Sequence, residues 1–245
     1  MQHPFGIRPT DAEVIRATKK AASYYAELPE TTCGHRACCC KAGCPNMYYS
    51  EYLNIRDAYV DKMSKDERFE LLMGCIWYYL FNQYEDGQPV AKPCLHLSKD
   101  NMCQVYSARP LKCRTYGLVP ADMHREIVEA VAKENKMDPG EIPLCIQCPF
   151  VKVKPEYAEK FPDNRIPEET IRRIEAALSK TDRDIGISKK IQEEGYGFLT
   201  FHDWHLMCEL GETWMSNLTP LRQKLSKVAK EQFFQDLKKA FKEQK

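Results

Sequence analysis

The chain has 245 residues, 43% of them hydrophobic, and 36 Lys and Arg against 35 Asp and Glu give it a net charge of +1. That length can bury a sizeable core, the hydrophobic share excludes disorder as the default, and the charge balance excludes nucleic-acid binding through bulk electrostatics. The start, Met1-Gln-His-Pro-Phe-Gly, lacks a basic region followed by an apolar one, and no run approaches the roughly 18 apolar residues of a membrane span, so a cytoplasmic chain with no membrane contact is expected.

In chain order, residues 10–27 read as a helix. Thr10-Asp-Ala-Glu13 is a capping box, and Ala12, Val14, Ile15, Ala21, Ala22 and Tyr25 can share an apolar side before Pro29 stops it. Residues 30–45 follow as a loop with five cysteines, Cys33, Cys38, Cys39, Cys40 and Cys44, and with Gly34 and Gly43 to permit positive φ. Asn46 is placed to cap a second helix reaching about Met63. Ser64-Lys-Asp-Glu67 is another capping box, opening a helix from about Lys65 to Tyr84. Phe69, Leu72, Met73, Ile76, Leu80 and Phe81 mark that helix as the buried central element, in which Cys75 reads as a small core hydrophobe. Asp86-Gly87 is a turn signal.

Residues 87–119 carry Cys94, Cys103 and Cys113 in irregular backbone set by Pro89, Pro93 and Pro110, with a short strand or helical turn at 103–106. Pro120 at the first helical position predicts a helix over 121–136, broken by Asp138-Pro-Gly140. Residues 144–150 hold a Cys145-x2-Cys148-Pro149 step, and 151–165 read as a proline-bounded connector. A helix then starts at Pro167 and runs to about Lys180. Residues 188–194 form a short one, 196–201 an extended piece, and 203–216 another helix. The last helix, 219–242, has Thr219 as its cap, Pro220 at its first position and an apolar face of Leu221, Leu225, Val228, Phe233, Leu237 and Phe241. The expected fold is mainly α. It is an irregular helical domain with long cysteine-rich loops wrapped around a metal or iron–sulfur centre. Residues 1–150 form the cysteine-cluster domain and 151–245 a helical region packing on it.

Ten of the twelve cysteines fall in three groups: Cys33, Cys38, Cys39, Cys40 and Cys44; Cys94, Cys103 and Cys113; Cys145 and Cys148. In a reducing compartment, clustered cysteines are metal ligands more often than disulfides, and neighbours such as Cys38, Cys39 and Cys40 rarely suit disulfide geometry. All ten are candidate metal ligands. Iron–sulfur is the first choice. A [4Fe–4S] cluster takes four thiolates, often with a Cys-x2-Cys step, so the ten suffice for one or two clusters, or for one full cluster and one with an open iron. Structural zinc sites usually pair two Cys-x2-Cys steps, and the groups contain one; two zinc sites of four thiolates are the alternative.

Arg109 and Arg114 flank Cys113 and are placed to offset a cluster's negative charge and to donate hydrogen bonds to sulfur. His35 and His96 lie inside the cysteine groups and can replace a cysteine, although such histidines are more often bystanders. His202-Asp203-Trp204-His205 reads as polar residues at a helix start. There is no glycine-rich phosphate loop and no Cys-x3-Cys-x2-Cys run. A redox partner or a small-molecule substrate is the expected partner.

The segment Cys94-Leu-His-Leu97, then Cys103-Gln-Val-Tyr106-Ser-Ala-Arg109-Pro110-Leu-Lys-Cys113-Arg114, resembles the YkgJ-like cysteine-cluster family of zinc- or iron-chelating domain proteins. That family carries Cys-x-x-Leu…Cys-x-x-Tyr-x-x-Arg-Pro-x-x-Cys-Arg after a compact cysteine cluster. The family's usual cluster is Cys-x2-Cys-Gly-x-Cys-Cys, whereas this chain has Cys33-x4-Cys38-Cys39-Cys40-x3-Cys44. The resemblance spans roughly residues 30–150 and implies a metal centre more firmly than a reaction.

Overall fold

The computed structural model of the protein describes residues 11–33, 37–41, 43–81, 92–141, 148, 150–187 and 198–243. The fold is mainly helical, as the periodicity predicts, with two small antiparallel sheets among the described residues.

Helix α1 (Asp11–Tyr25) and strand β1 (Thr31–Cys33) lead into a single helical turn, α2 (Cys38–Lys41). Asn46 does not cap the next helix. Residues Asn46–Tyr48 form strand β2, and α3 covers Tyr49–Ala58, followed by a 3-10 turn at Val60–Lys62. The strand forms because its partner, β4 (Phe198–Thr200), comes from far down the chain, with Met47 opposite Leu199. Two buried carboxylates hold the start of α3. Glu51 accepts from the Tyr48 amide at 2.9 Å, and Asp182 accepts from the Tyr49 and Ser50 amides at 2.7 and 2.8 Å.

Helix α4 (Lys65–Phe81) starts at its capping box. The Ser64 amide donates to Glu67 at 2.8 Å, and the Glu67 amide donates to the Ser64 hydroxyl at 3.3 Å. Its Met73, Cys75, Ile76 and Leu80 are buried, so Cys75 is a core residue. The expected extension to Tyr84 and the turn at Asp86-Gly87 lie outside the described residues.

Helix α5 (Leu111–Thr115) is one turn long. In α6 (Ala121–Asn135), Pro120 serves as the N-cap, one position earlier than expected, and Lys136 closes the helix at φ 54°. Strand β3 (Val151–Val153) pairs with β1 in the register Thr31 to Val153 and Cys33 to Val151. Helix α7 (Glu168–Asp184) runs a turn beyond Lys180 and buries Ile171, Ile174 and Leu178 on one face. The short helix expected over 188–194 lies outside the described residues.

The C-terminal helices depart from expectation. Helix α8 (Phe201–Leu210) begins two residues early, where the Thr200 hydroxyl accepts from the Asp203 amide. Thr219 and Pro220 sit inside α9 (Glu212–Lys224) rather than starting the last helix, which is α10 (Lys227–Glu243). The Thr219 hydroxyl lies 2.7 Å from that of Tyr79 on α4, a tertiary contact that a local capping rule does not foresee.

Two hydrophobic cores meet at α3. Tyr49, Tyr52 and Leu53 of α3 pack with Ile76 and Leu80 of α4 and with Phe201 and Trp204 of α8; the Trp204 indole donates to the Met47 carbonyl at 3.0 Å. The second core joins Ala21 of α1, Leu118, Ile166, and Ile174 and Leu178 of α7. Each fully buried aliphatic side chain here contributes about 1.5–3 kcal/mol, so the frame does not depend on the cysteine loops alone. Among the described residues, no helix is long and apolar enough to cross a membrane.

Candidate metal centre

Three separate pieces of backbone carry cysteines to one place. The first is α2 with the residues after it. Ala37 at φ 53° and Gly43 at φ 133° turn the chain around Cys39 and Cys40, and Cys44 follows. The second is a tight hairpin from Cys94 to Cys103. The Ser98 amide donates to the Met102 carbonyl at 2.9 Å, the Gln104 amide to the His96 carbonyl at 2.9 Å, and Leu97 bridges Cys103. The third is α5, which presents Cys113. Its Leu111 amide donates to Glu51 at 2.6 Å, so a buried carboxylate of α3 anchors the turn.

The cysteines of these pieces, Cys39, Cys40, Cys44, Cys94, Cys103 and Cys113, line one cavity of about 300 Å³ together with His96 and Arg109. Two sulfur pairs are close. Cys39 and Cys40 Sγ are 3.8 Å apart, and so are Cys44 and Cys94 Sγ. Backbone amides also reach the sulfurs: that of Phe201 donates to Cys44, that of His96 to Cys94 and that of Val105 to Cys103. Such N–H···S bonds favour the thiolate form.

The acidities follow from these contacts. A hydrogen bond from the Cys40 thiol, against the cost of burial and helped by backbone amides and the Arg109 charge, brings Cys39 down to about 6. Cys94 is lowered in the same way by its hydrogen bond with Cys44. Their partners, Cys40 and Cys44, are pushed up by those same hydrogen bonds and by burial. Burial also raises Cys103 and Cys113, with the Arg109 charge opposing it in both. Each close pair thus shares a hydrogen bond between its two sulfurs, which favours one thiolate per pair.

Arg109 lines the cavity. Its guanidinium sits 3.6 Å above the Tyr106 ring and its Nε donates to the Tyr106 carbonyl at 3.0 Å. Arg114 does not line the cavity. It donates to the Arg109 and Ser107 carbonyls at 2.7 and 2.6 Å and lies 4.3 Å from the Tyr25 ring, so it braces the loop between Cys103 and Cys113.

Of the remaining candidate cysteines, Cys148 has a described side chain, and it lies away from this cavity. Cys148 is buried in the second core against Gly117, where an added Cβ would come within 3.0 Å of the Cys148 Cβ, and it borders a separate cleft. Cys145 and His35 fall outside the described residues. Cys33 is placed by backbone in β1 and Cys38 at the start of α2. His205 belongs to the first core, its Nδ1 being 3.2 Å from the Tyr52 hydroxyl. Glu51 is a supporting residue that cysteine spacing does not reveal; the only trace of it in the chain is an acid three positions after the N-cap of α3.

The donor set suits a thiophilic metal, because close thiolates select zinc or iron over oxygen-preferring ions. The 3.8 Å separations match the roughly 3.8 Å edge of a tetrahedron built from ~2.3 Å metal–sulfur bonds. Among the described residues no three His, Cys, Asp or Glu side chains surround a single point closely enough for one ion.

Residues 30–141 match the CxxCxxCC family model, described as "putative zinc- or iron-chelating domain". No curated protein and no solved structure matches the chain. The family match supports metal binding by this segment, with zinc and iron both within its description.

Proposed function

We propose that this chain, whose residues 30–141 match the model of a zinc- or iron-chelating domain, is an iron–sulfur protein holding one [4Fe–4S] cluster on Cys39, Cys94, Cys103 and Cys113. The observation that carries this reading is the grouping of six thiols around one cavity as two close pairs and two singles. A [4Fe–4S] cluster takes four cysteines, one to each iron, so two thiols 3.8 Å apart do not both serve it. One member of each pair, together with the two singles, gives four. We take Cys39 and Cys94 as those members, because the Arg109 charge acts on Cys39 and Cys94 shares its hairpin with Cys103.

Cys40 and Cys44 are then hydrogen-bond partners of the ligating sulfurs. Arg109, whose charge acts on Cys39, Cys103 and Cys113, offsets the negative charge of the centre. The bound cluster supplies one-electron redox chemistry, so electron transfer or a cluster-dependent reaction is the activity this reading assigns.

A second reading rests on the sulfur separations. If both close pairs bind one ion, Cys39, Cys40, Cys44 and Cys94 form a four-thiolate zinc site and the chain is an interaction module. Anaerobic purification followed by iron, sulfide and zinc analysis decides between them. Four irons and four sulfides per chain, with broad visible absorption, support the cluster. A colourless protein with stoichiometric zinc and no iron overturns it.

A further inference from the structure

We infer that His96 donates a hydrogen bond from its Nε2–H to a sulfur of the metal centre; the inference rests on the reading that the six-thiol cavity holds a metal. His96 is 3% exposed, it lines that cavity, and its Nε2 is buried with no hydrogen-bond partner among the described residues. A buried imidazole nitrogen without a partner is costly, and an intact core tolerates one only where something else completes it.

The ring is held in place from several sides. Phe201 meets it edge-on with centroids 4.2 Å apart, and Tyr59 lies across it at 6.0 Å. Its own backbone is tied to both neighbouring ligand segments, because its amide donates to Cys94 Sγ and its carbonyl accepts from Gln104. Cys94 and Cys103 therefore stand on the same hairpin as the imidazole. Arg109 and Lys112, which also line the cavity, are donors and offer Nε2–H nothing. The oxygen acceptors that line the cavity, Glu175, Thr115 and Tyr116, come from α7 and from α5 and the residue after it, whereas the sulfurs of Cys94 and Cys103 share the hairpin with the imidazole.

Four thiolates already complete the centre in either reading above, so a donor role fits His96 better than a ligand role. An N–H···S bond stabilises the more electron-rich, reduced state and raises the reduction potential. His96 is thus a positioning and tuning residue for the centre.

The test uses the full chain purified anaerobically with its metal. His96→Phe keeps the ring volume and removes the donor, while His96→Gln keeps an N–H. The expected result is unchanged iron content in both, a more negative potential for His96→Phe, and a His96→Gln value between that and the wild type. An unchanged potential in His96→Phe with full iron overturns the inference. So does a ¹⁵N-histidine-labelled sample whose reduced centre shows the strong nitrogen coupling of a direct ligand. Should His96→Phe fold poorly, His96→Met is the second donor-free side chain. Should the protein hold zinc, the iron–sulfur reading fails by itself and His96 is tested on the cobalt-substituted protein. There, loss of the donor moves the thiolate-to-cobalt band to longer wavelength, and an unmoved band overturns the inference.

Discussion

The Cys94 amide donates to the Cys40 carbonyl at 2.6 Å. One main-chain bond thus joins two cysteine groups that are far apart in sequence, and it joins a member of one close sulfur pair to a member of the other. Because both atoms belong to the backbone, the bond does not need a metal to form. Together with the Leu111 amide on Glu51, it fixes part of the thiol arrangement in advance, which lowers the ordering cost of binding.

The two metal readings differ in which sulfurs they need. With a [4Fe–4S] cluster, Cys103→Ser and Cys113→Ser each lose most of the iron, while Cys40→Ser and Cys44→Ser retain it. With a zinc site on the close pairs, the pattern is reversed. Iron, sulfide and zinc measured per chain in these four variants separate the two, and equal dependence on all four thiols would contradict both.

The two arginines should separate as well. Arg109 sits over Tyr106 on the cavity wall, and its charge favours the Cys39, Cys103 and Cys113 thiolates. Arg109→Leu is expected to keep the metal and lower the reduction potential. Arg114 holds two carbonyls and packs on Tyr25, so Arg114→Ala is expected to cost about 2–3 kcal/mol in denaturant unfolding, since hydrogen bonds from a charged group are the stronger kind. A stable Arg114→Ala protein with a shifted potential would reverse the two assignments.

How much was legible in the chain depends on how local the cause was. The start and the buried face of helix α4 are read correctly because its capping box and its apolar residues lie in one continuous stretch. The segment from Cys94 to Cys113 is likewise recognisable from its spacing. Strand β2 is not, because Asn46–Tyr48 is extended only through pairing with Phe198–Thr200. Thr219-Pro220 has the local signature of a helix start, yet contact with Tyr79 places it within α9. Among the cysteines, spacing groups Cys148 with Cys145 but says nothing of the close approach to Gly117 that seats Cys148 in the second core.

Cys75 offers a control for the metal experiments. It is fully buried in α4 and does not line the thiol cavity. Cys75→Ser places a hydroxyl among apolar side chains and should destabilise by about 1–3 kcal/mol. Metal content per folded chain should stay at the wild-type value. A loss of iron in this variant would mean that the centre extends beyond the cavity described above.

The buried carboxylate that caps α3 gives the fold a pH dependence of defined sign. Burial pushes Asp182 up from 3.8 to about 7, against the amides of Tyr49 and Ser50 that favour its ionised form, with the Glu51 charge adding to the rise. Between those two values the folded chain holds a proton that the unfolded chain has released. The stabilisation is therefore complete below about pH 4 and is lost as pH rises through about 7, with an upper bound of roughly 4–5 kcal/mol. Asp182→Asn removes the titration while keeping one oxygen to accept an amide, so it should be less stable than wild type at pH 5.5 and lose less between pH 5.5 and 8. Thermal unfolding of both proteins across that range, at matched metal loading, checks this. Parallel curves would show that Asp182 remains ionised throughout, held by its two amide donors.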